Sequence, residues 1–273
     1  MDTHRPIGIF DSGVGGLSIL NEIHVLLPDE NLLYFADQAH VPYGSRSLVE
    51  VRDLSEGIVR FLIHQDAKAI VVACNTASAA SLHQLRETFQ GVQFIGMEPA
   101  VKPAVQHSQT GVVGVLATPA TFLGEPFASV VERFAEGVEV LEATLPGLVE
   151  LIEAGELEGS RVESILRTAV EPLITRGADT LVLACTHYPI ILPVIQSIAG
   201  EGVTVIDPAP AIARQTGHVL DVGQALANRD GAGLIQYVTS GQLRAFEQSL
   251  QLLNMPAGSV RRARWQGGDI HLA

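Results

Sequence analysis

Short apolar runs rich in β-branched residues recur along the chain, each closed by small or polar residues and followed by a stretch with helical spacing. Ile7 to Phe10, Asn31 to Asp37, Ile70 to Val72, Gln93 to Met97, Val138 to Leu141, Thr180 to Leu183, Thr204 to Ile206 and Leu234 to Val238 read as strands, as does the segment Val112 to Thr121 with its closing turn. Runs that are continuously apolar, with no alternation, mark parallel strands covered on both faces. Between them, residues 47–66 carry Val51, Leu54, Ile58, Val59 and Leu62 at the spacing of one buried helical face. Further helices are expected up to about Leu27 and over 148–154, 160–176, 209–226 and Leu243–Leu253. Strands alternating with helices predict an α/β fold built on parallel sheet.

One phrase of this pattern occurs twice. Ala69-Ile70-Val71-Val72-Ala73-Cys74-Asn75-Thr76 has its counterpart in Thr180-Leu181-Val182-Leu183-Ala184-Cys185-Thr186-His187, and these are the two cysteines of the chain. The segment from Pro6 to Ser12 is echoed by Val112 to Thr118 in the same way. Ser12 and Cys74 are 62 residues apart, Thr118 and Cys185 67, so one half-domain appears duplicated. Each thiol falls at the carboxyl end of a strand and the amino end of a helix. Open α/β sheets bind ligands in that crevice, and the helix terminus there favours an anion, whether a substrate carboxylate or a thiolate. A lone cysteine in such a place is commonly a small hydrophobe. Two in duplicated contexts point to chemistry.

The turns carry further signals. Asp11-Ser12-Gly13-Val14-Gly15-Gly16-Leu17-Ser18 resembles a dinucleotide turn, but Ser18 replaces the third glycine and Asp11 would repel a pyrophosphate. The reading preferred here is a turn whose glycines let backbone approach a small ligand, with Asp11 as acceptor for an ammonium and Ser12 as a hydroxyl. Asp11 is equally suited to cap the first helix. Val41-Pro42-Tyr43-Gly44-Ser45 is a turn at another strand's carboxyl end, either a surface loop or part of the same crevice. The locally basic Arg261-Arg262-Ala263-Arg264-Trp265 reads as a solvated edge strand.

Composition narrows the partners. The 273 residues hold 17 Lys and Arg against 30 Asp and Glu, a net charge of −13, which disfavours nucleic acid. Two cysteines make no disulfide framework. Met1-Asp2-Thr3-His4-Arg5-Pro6 leads into a strand without a signal-peptide core, and no run approaches the ~20 apolar residues of a membrane span. The expected setting is cytoplasmic, with reduced thiols and no membrane partner.

If the two halves pack face to face, the thiols approach one small molecule from opposite sides. One thiolate can then remove a proton from a tetrahedral carbon while the other thiol protonates the opposite face, inverting the centre. A helix N-terminus is expected to lower a thiol toward neutrality, and the partner must stay protonated. His187 can hold the proton balance beside Cys185, with Asp11 or Glu150 doing so near Cys74. Alternatives are a cysteine hydrolase with Cys185 as nucleophile and His187 nearby, and a non-catalytic amino-acid binding protein. His187 also has the bland reading of a satisfied half-buried histidine. A metal site at Cys74, Cys185 and His187 lacks ligand-pair spacing.

Asp11-Ser12-Gly13-Val14-Gly15-Gly16, Val41-Pro42-Tyr43-Gly44, Ala73-Cys74-Asn75-Thr76-Ala77 and Ala184-Cys185-Thr186-His187-Tyr188-Pro189 resemble the signature motifs of the cofactor-independent aspartate/glutamate racemase family. Gly114 to Thr118 and Tyr237 to Gly241 also fit, and the extended first and last motifs favour the glutamate branch. The resemblance covers essentially the whole chain. It implies interconversion of L- and D-glutamate without cofactor or metal, supplying D-glutamate for peptidoglycan, in a protein that commonly forms homodimers. Carried over by motif, Cys74 and Cys185 are the acid/bases, assisted by His187, Asp11 and Glu150. Asp11, Ser12, Pro42, Tyr43, Gly44, Asn75, Thr76, Thr118, Thr121, Thr186 and His187 bind substrate. The chain departs from the family at Glu142-Ala143-Thr144, where a Cys-Pro-containing stretch is usual, and at Gly147, where proline is common. The implied fold is two pseudo-symmetric, doubly wound α/β domains with the active site in the cleft between them, residues 1–97 plus 208–273 forming one and 98–207 the other.

Overall fold

The computed structural model describes residues 3–228 and 231–273; Met1 and Asp2, part of the segment read for a signal peptide, lie outside the described residues. The strands are β1 Ile7–Asp11, β2 Leu32–Ala36, β3 Ala69–Val72, β4 Gln93–Gly96, β5 Val112–Ala117, β6 Glu139–Ala143, β7 Thr180–Ala184, β8 Thr204–Ile206, β9 Ile235–Thr239, β10 Ser259–Gln266 and β11 Asp269–Leu272. Among the described residues they form two sheets, ordered β11-β10-β9-β2-β1-β3-β4 and β6-β5-β7-β8. All pairings are parallel except β10 with β11. The order β2-β1-β3-β4 recurs as β6-β5-β7-β8, so the repetition in sequence is a repetition of topology.

Alternation within the buried strands sends side chains to both faces. Ile7 and Ile9 join the apolar cluster on one side of the larger sheet, while Phe10 joins the cluster on the other. The smaller sheet has its own pair, with Leu181 and Leu183 on one face and Val182 and Ala184 on the other. The expected helix over 47–66 runs Leu48–His64. Ser47 and Glu50 form a capping box at its start, and Val51, Ile58, Val59 and Leu62 are buried as their spacing requires. The helix Ala209–Val222 packs on Leu17–Leu26, which returns the chain to the larger sheet after β8.

The reading of Arg261 to Trp265 as an edge strand is corrected. β10 lies inside the sheet, parallel to β9 and antiparallel to β11, with Ala263 fully buried; β11 is the edge. Arg261 and Arg264 are exposed, whereas Arg262 is half-buried beside the buried Ala263, so local charge misreports the strand's place. Helices Glu125–Phe134 and Leu192–Ala199 were likewise not expected from the pattern.

Candidate active site

β3 and β7 occupy equivalent places in the two sheets, and each ends one or two residues before a cysteine. Cys74 and Cys185 are both buried and line one cavity with Ser12, Pro42, Tyr43, Gly44, Asn75, Thr76, Thr118, Val149, Thr186 and His187. The cavity holds about 10 Å³, room for about a single water. Asp11 and Thr121 stand just behind this lining. Asp11 accepts from the Thr186 hydroxyl at 3.3 Å, and Thr121 joins Thr76 and Thr118 in a triangle of hydroxyls 2.9–3.4 Å apart. Asn75 is 3% exposed, and neither its Oδ1 nor its Nδ2 has a hydrogen-bond partner. Unmade bonds on a buried amide are costly, so this side chain is set up for a polar ligand.

On the first side, Cys74 caps the helix Asn75–Thr88, its sulfur accepting from the Ala77 N–H at 3.5 Å. Ser12 Oγ lies 4.0 Å from that sulfur. Asp11 is fully buried at the end of β1 and accepts from the Gly16 and Gly13 amides at 3.0 and 3.3 Å. Gly16, not Asp11, is the N-cap of the helix Leu17–Leu26; Asp11 holds the turn before it. Burial raises the Asp11 carboxyl despite the lowering effects of the His187 charge and the Gly16 N–H. Burial and the Asp11 charge push the Cys74 thiol well up, against the Ala77 N–H. The expected lowering by a helix terminus is therefore overturned at Cys74, because desolvation and a neighbouring carboxylate outweigh one backbone amide.

On the second side the charges are reversed. His187 is 2% exposed, with Nδ1 4.0 Å from Cys185 Sγ and Nε2 2.6 Å from Glu153 Oε1. Burial alone would lower the imidazole, but its bonds to Cys185 and Glu153 raise it well above the usual histidine range. Burial likewise works against the Glu153 charge, yet the bonds from His187, Gln38 and the Val14 N–H bring that carboxyl below its ordinary value. The glycine turn serves this contact. A Cβ on Gly13 would fall 1.8 Å from Glu153 Oε1, and one on Gly15 2.6 Å from His187 Nδ1. What approaches those glycines is the opposite half of the molecule, in place of the small ligand expected there.

The loop after β2 completes the wall. Tyr43 is 1% exposed and donates to Asp37 Oδ2 at 2.7 Å. Asp37, fully buried, also accepts from Ser240 at 2.7 Å and from the Trp265 indole at 2.8 Å.

The Asp/Glu/hydantoin racemase family matches residues 15–216, most of the chain. The chain belongs to this family. A glutamate racemase from Roseiflexus sp. (strain RS-1) is 47% identical over 260 residues, which cover 95% of this chain and 96% of that one. Among solved structures, a glutamate racemase isoform from Bacillus anthracis superposes with a TM-score of 0.88 at 31% identity, covering 98% and 99% of the two chains. The Francisella tularensis glutamate racemase in complex with D-glutamate gives a TM-score of 0.84 at 29% identity, covering 94% of this chain and 97% of that one. The chain is thus an amino-acid racemase, and cofactor independence is in keeping with the family. Among the described residues no group of three or more His, Cys, Asp or Glu is arranged to hold a metal ion, and no helix is long and apolar enough to cross a membrane.

Within this racemase, Glu150 is not brought to the cavity. It is exposed on the helix Leu148–Glu153, and Glu153, three residues on, is the carboxylate that meets His187. Nothing local separates the two glutamates: both follow a pair of buried apolar residues, Leu148 and Val149 or Leu151 and Ile152. Which one turns inward depends on how that helix docks against Val14 and Gln38 of the other sheet. Val149 and Gln38 were also missed, and no sequence signal marks either.

Proposed function

We propose that this racemase interconverts L- and D-glutamate, with Cys74 and Cys185 as acid and base on opposite faces of the α-carbon. The observation that carries the reading is one small buried cavity lined by both thiols, one beside an acid and the other beside a cation. The imidazolium of His187 compensates a thiolate at Cys185, which removes the α-proton. Cys74, held protonated by burial and by Asp11, delivers a proton to the other face. In the reverse direction Cys74 begins as the thiolate, its proton taken up by Asp11, whose proton affinity burial has raised. His187 meanwhile gives its proton to Cys185, which then acts as the acid. Asn75 meets the substrate's charged groups with its two unpaired atoms, alongside Ser12, Thr76 and Thr186. Excluding water strengthens each of these interactions while the cleft is closed, and the thiol protons exchange with solvent when it opens.

A cavity of about 10 Å³ cannot admit an amino acid, so the two sheets must part for substrate to enter. The moving bodies in this reading are residues 1–97 with 208–273 and residues 98–207. Their separation breaks the Thr76–Thr118 and Val14–Glu153 bonds across the cleft. By family resemblance the protein works as a cytoplasmic homodimer and supplies D-glutamate for peptidoglycan. Light scattering of the purified protein tests the dimer, and growth of a D-glutamate auxotroph carrying the gene tests the role.

Circular dichroism of purified protein supplied with L-glutamate, D-glutamate or aspartate is the direct assay. The expected result is decay of ellipticity from either glutamate enantiomer, with solvent deuterium entering the α-position, and little change with aspartate. A hydrolase would release a new product, and a binding protein would exchange no α-proton. Either outcome sinks the reading.

A further inference from the structure

We propose that Gln38 is a positioning residue for the reaction, fixing the Glu153 carboxylate that orients His187 toward Cys185. The inference rests on the two-thiol reading above. Gln38 follows β2 and is half-buried, and its Nε2 donates across the cleft to Glu153 Oε2 at 2.9 Å. The other carboxylate oxygen is taken by the Val14 N–H at 2.7 Å and by His187 Nε2 at 2.6 Å. Gln38 therefore completes the set of donors around this acid, and touches neither thiol nor cavity.

A directional chain of bonds fixes which end of the amide faces Glu153. The Gly241 N–H donates to Thr239 Oγ1 at 3.0 Å, and the Thr239 hydroxyl donates to Gln38 Oε1 at 2.9 Å. With its oxygen held by Thr239, the amide presents only N–H to the carboxylate. A flipped amide would set two oxygens against each other at Glu153. Gly241 makes the arrangement fit, since a Cβ there would stand 2.8 Å from Gln38 Cβ. The C-terminal part of the larger sheet thus reaches the Cys185 side through Thr239, Gln38, Glu153 and His187. The titratable groups around Glu153 are His187 after β7, Asp11 at the end of β1 and Tyr34 on β2.

The test compares wild type with Gln38→Met, which keeps the length but drops the donor, and Gln38→Glu, which is a donor only when protonated. Glutamate racemisation is followed by circular dichroism across pH. Gln38→Met is expected to lower kcat about tenfold with KM little changed. Its acid limb moves up by about one pH unit, because Glu153 loses a bond to its charged form. Gln38→Glu loses more at neutral pH and recovers as the pH falls and its carboxyl gains a proton. An unchanged profile in Gln38→Met, or an equal loss at every pH in both variants, overturns the proposal. NMR titration of Glu153 and His187 in ligand-free protein gives a readout that needs no turnover. Glu153 should titrate higher in Gln38→Met, and in Thr239→Val by a smaller amount if the first variant does not fold. An unmoved Glu153 in either soluble variant is fatal to the proposal. Failure of wild-type protein to racemise glutamate would instead sink the functional reading and leave the titration result standing.

Discussion

Cys74 and Cys185 stand at equivalent strand ends of two sheets that share a four-strand order, yet their neighbours carry opposite charge. On one side Asp11 is clamped by the amides of its own turn, and the thiol keeps its proton. On the other, His187 is held cationic by Glu153. Under the proposed mechanism, duplication supplies the geometry that two-sided proton transfer needs, and divergence at these few positions supplies the acid and the base. Two identical environments would instead let the sulfurs share one proton and would single out neither as acid or base.

Cutting either sulfur is the most severe way to break this comparison. Cys74→Ala and Cys185→Ala should each lower racemisation by about 10³-fold or more, since each removes a proton-transfer group that nothing replaces. Either variant keeping near wild-type turnover in both directions removes the two-thiol mechanism. Next in size are the neighbours. Asp11→Asn and His187→Asn are each expected to cost about 10- to 100-fold in kcat. Asp11→Asn should also bring the Cys74 thiol to a lower titration point, visible as thiolate absorbance appearing earlier in a pH ramp of ligand-free protein. The same absorbance curve as wild type would show that Asp11 does not govern Cys74.

A subtler effect lies in stability against pH. Glu153 is shifted below its ordinary 4.5, so its contribution is complete above that value and is lost as pH falls through the folded pKa. His187 is shifted above 6.5, so its contribution is complete below that value and is lost as pH rises through the folded pKa. Both are fully present only between about pH 4.5 and 6.5. His187→Asn should therefore lower Tm most within that window, and a uniform offset across pH would contradict the pairing. The smallest expected effect is Thr118→Val, which opens the hydroxyl triangle joining the halves and costs about 1 kcal/mol by calorimetry.

Much of this was legible before any coordinates. The strand ends, the two cysteines and the repeated half follow from apolar runs and small residues, because local pattern decides them. The cavity lining at Ser12, Tyr43, Asn75 and Thr186 came with the motifs. The contacts that cross the cleft were hidden. Glu153 and Gln38 are 115 residues apart, and their meeting depends on how the two sheets dock. The Cys74 environment was misjudged for a related reason: helix position is written in sequence, whereas total burial beside Asp11 is a tertiary fact. The place of β10 was hidden too, since the strand that covers it, β11, follows it in the chain and pairs antiparallel to it.

Trp265 is the single tryptophan of the chain, and its indole shares Asp37 with the phenol of Tyr43 in the cavity wall. The molecule therefore carries its own optical gauge: any event that lifts Tyr43 off Asp37 leaves more negative charge on the carboxylate to which the indole stays bonded, and hence shifts the colour of its emission.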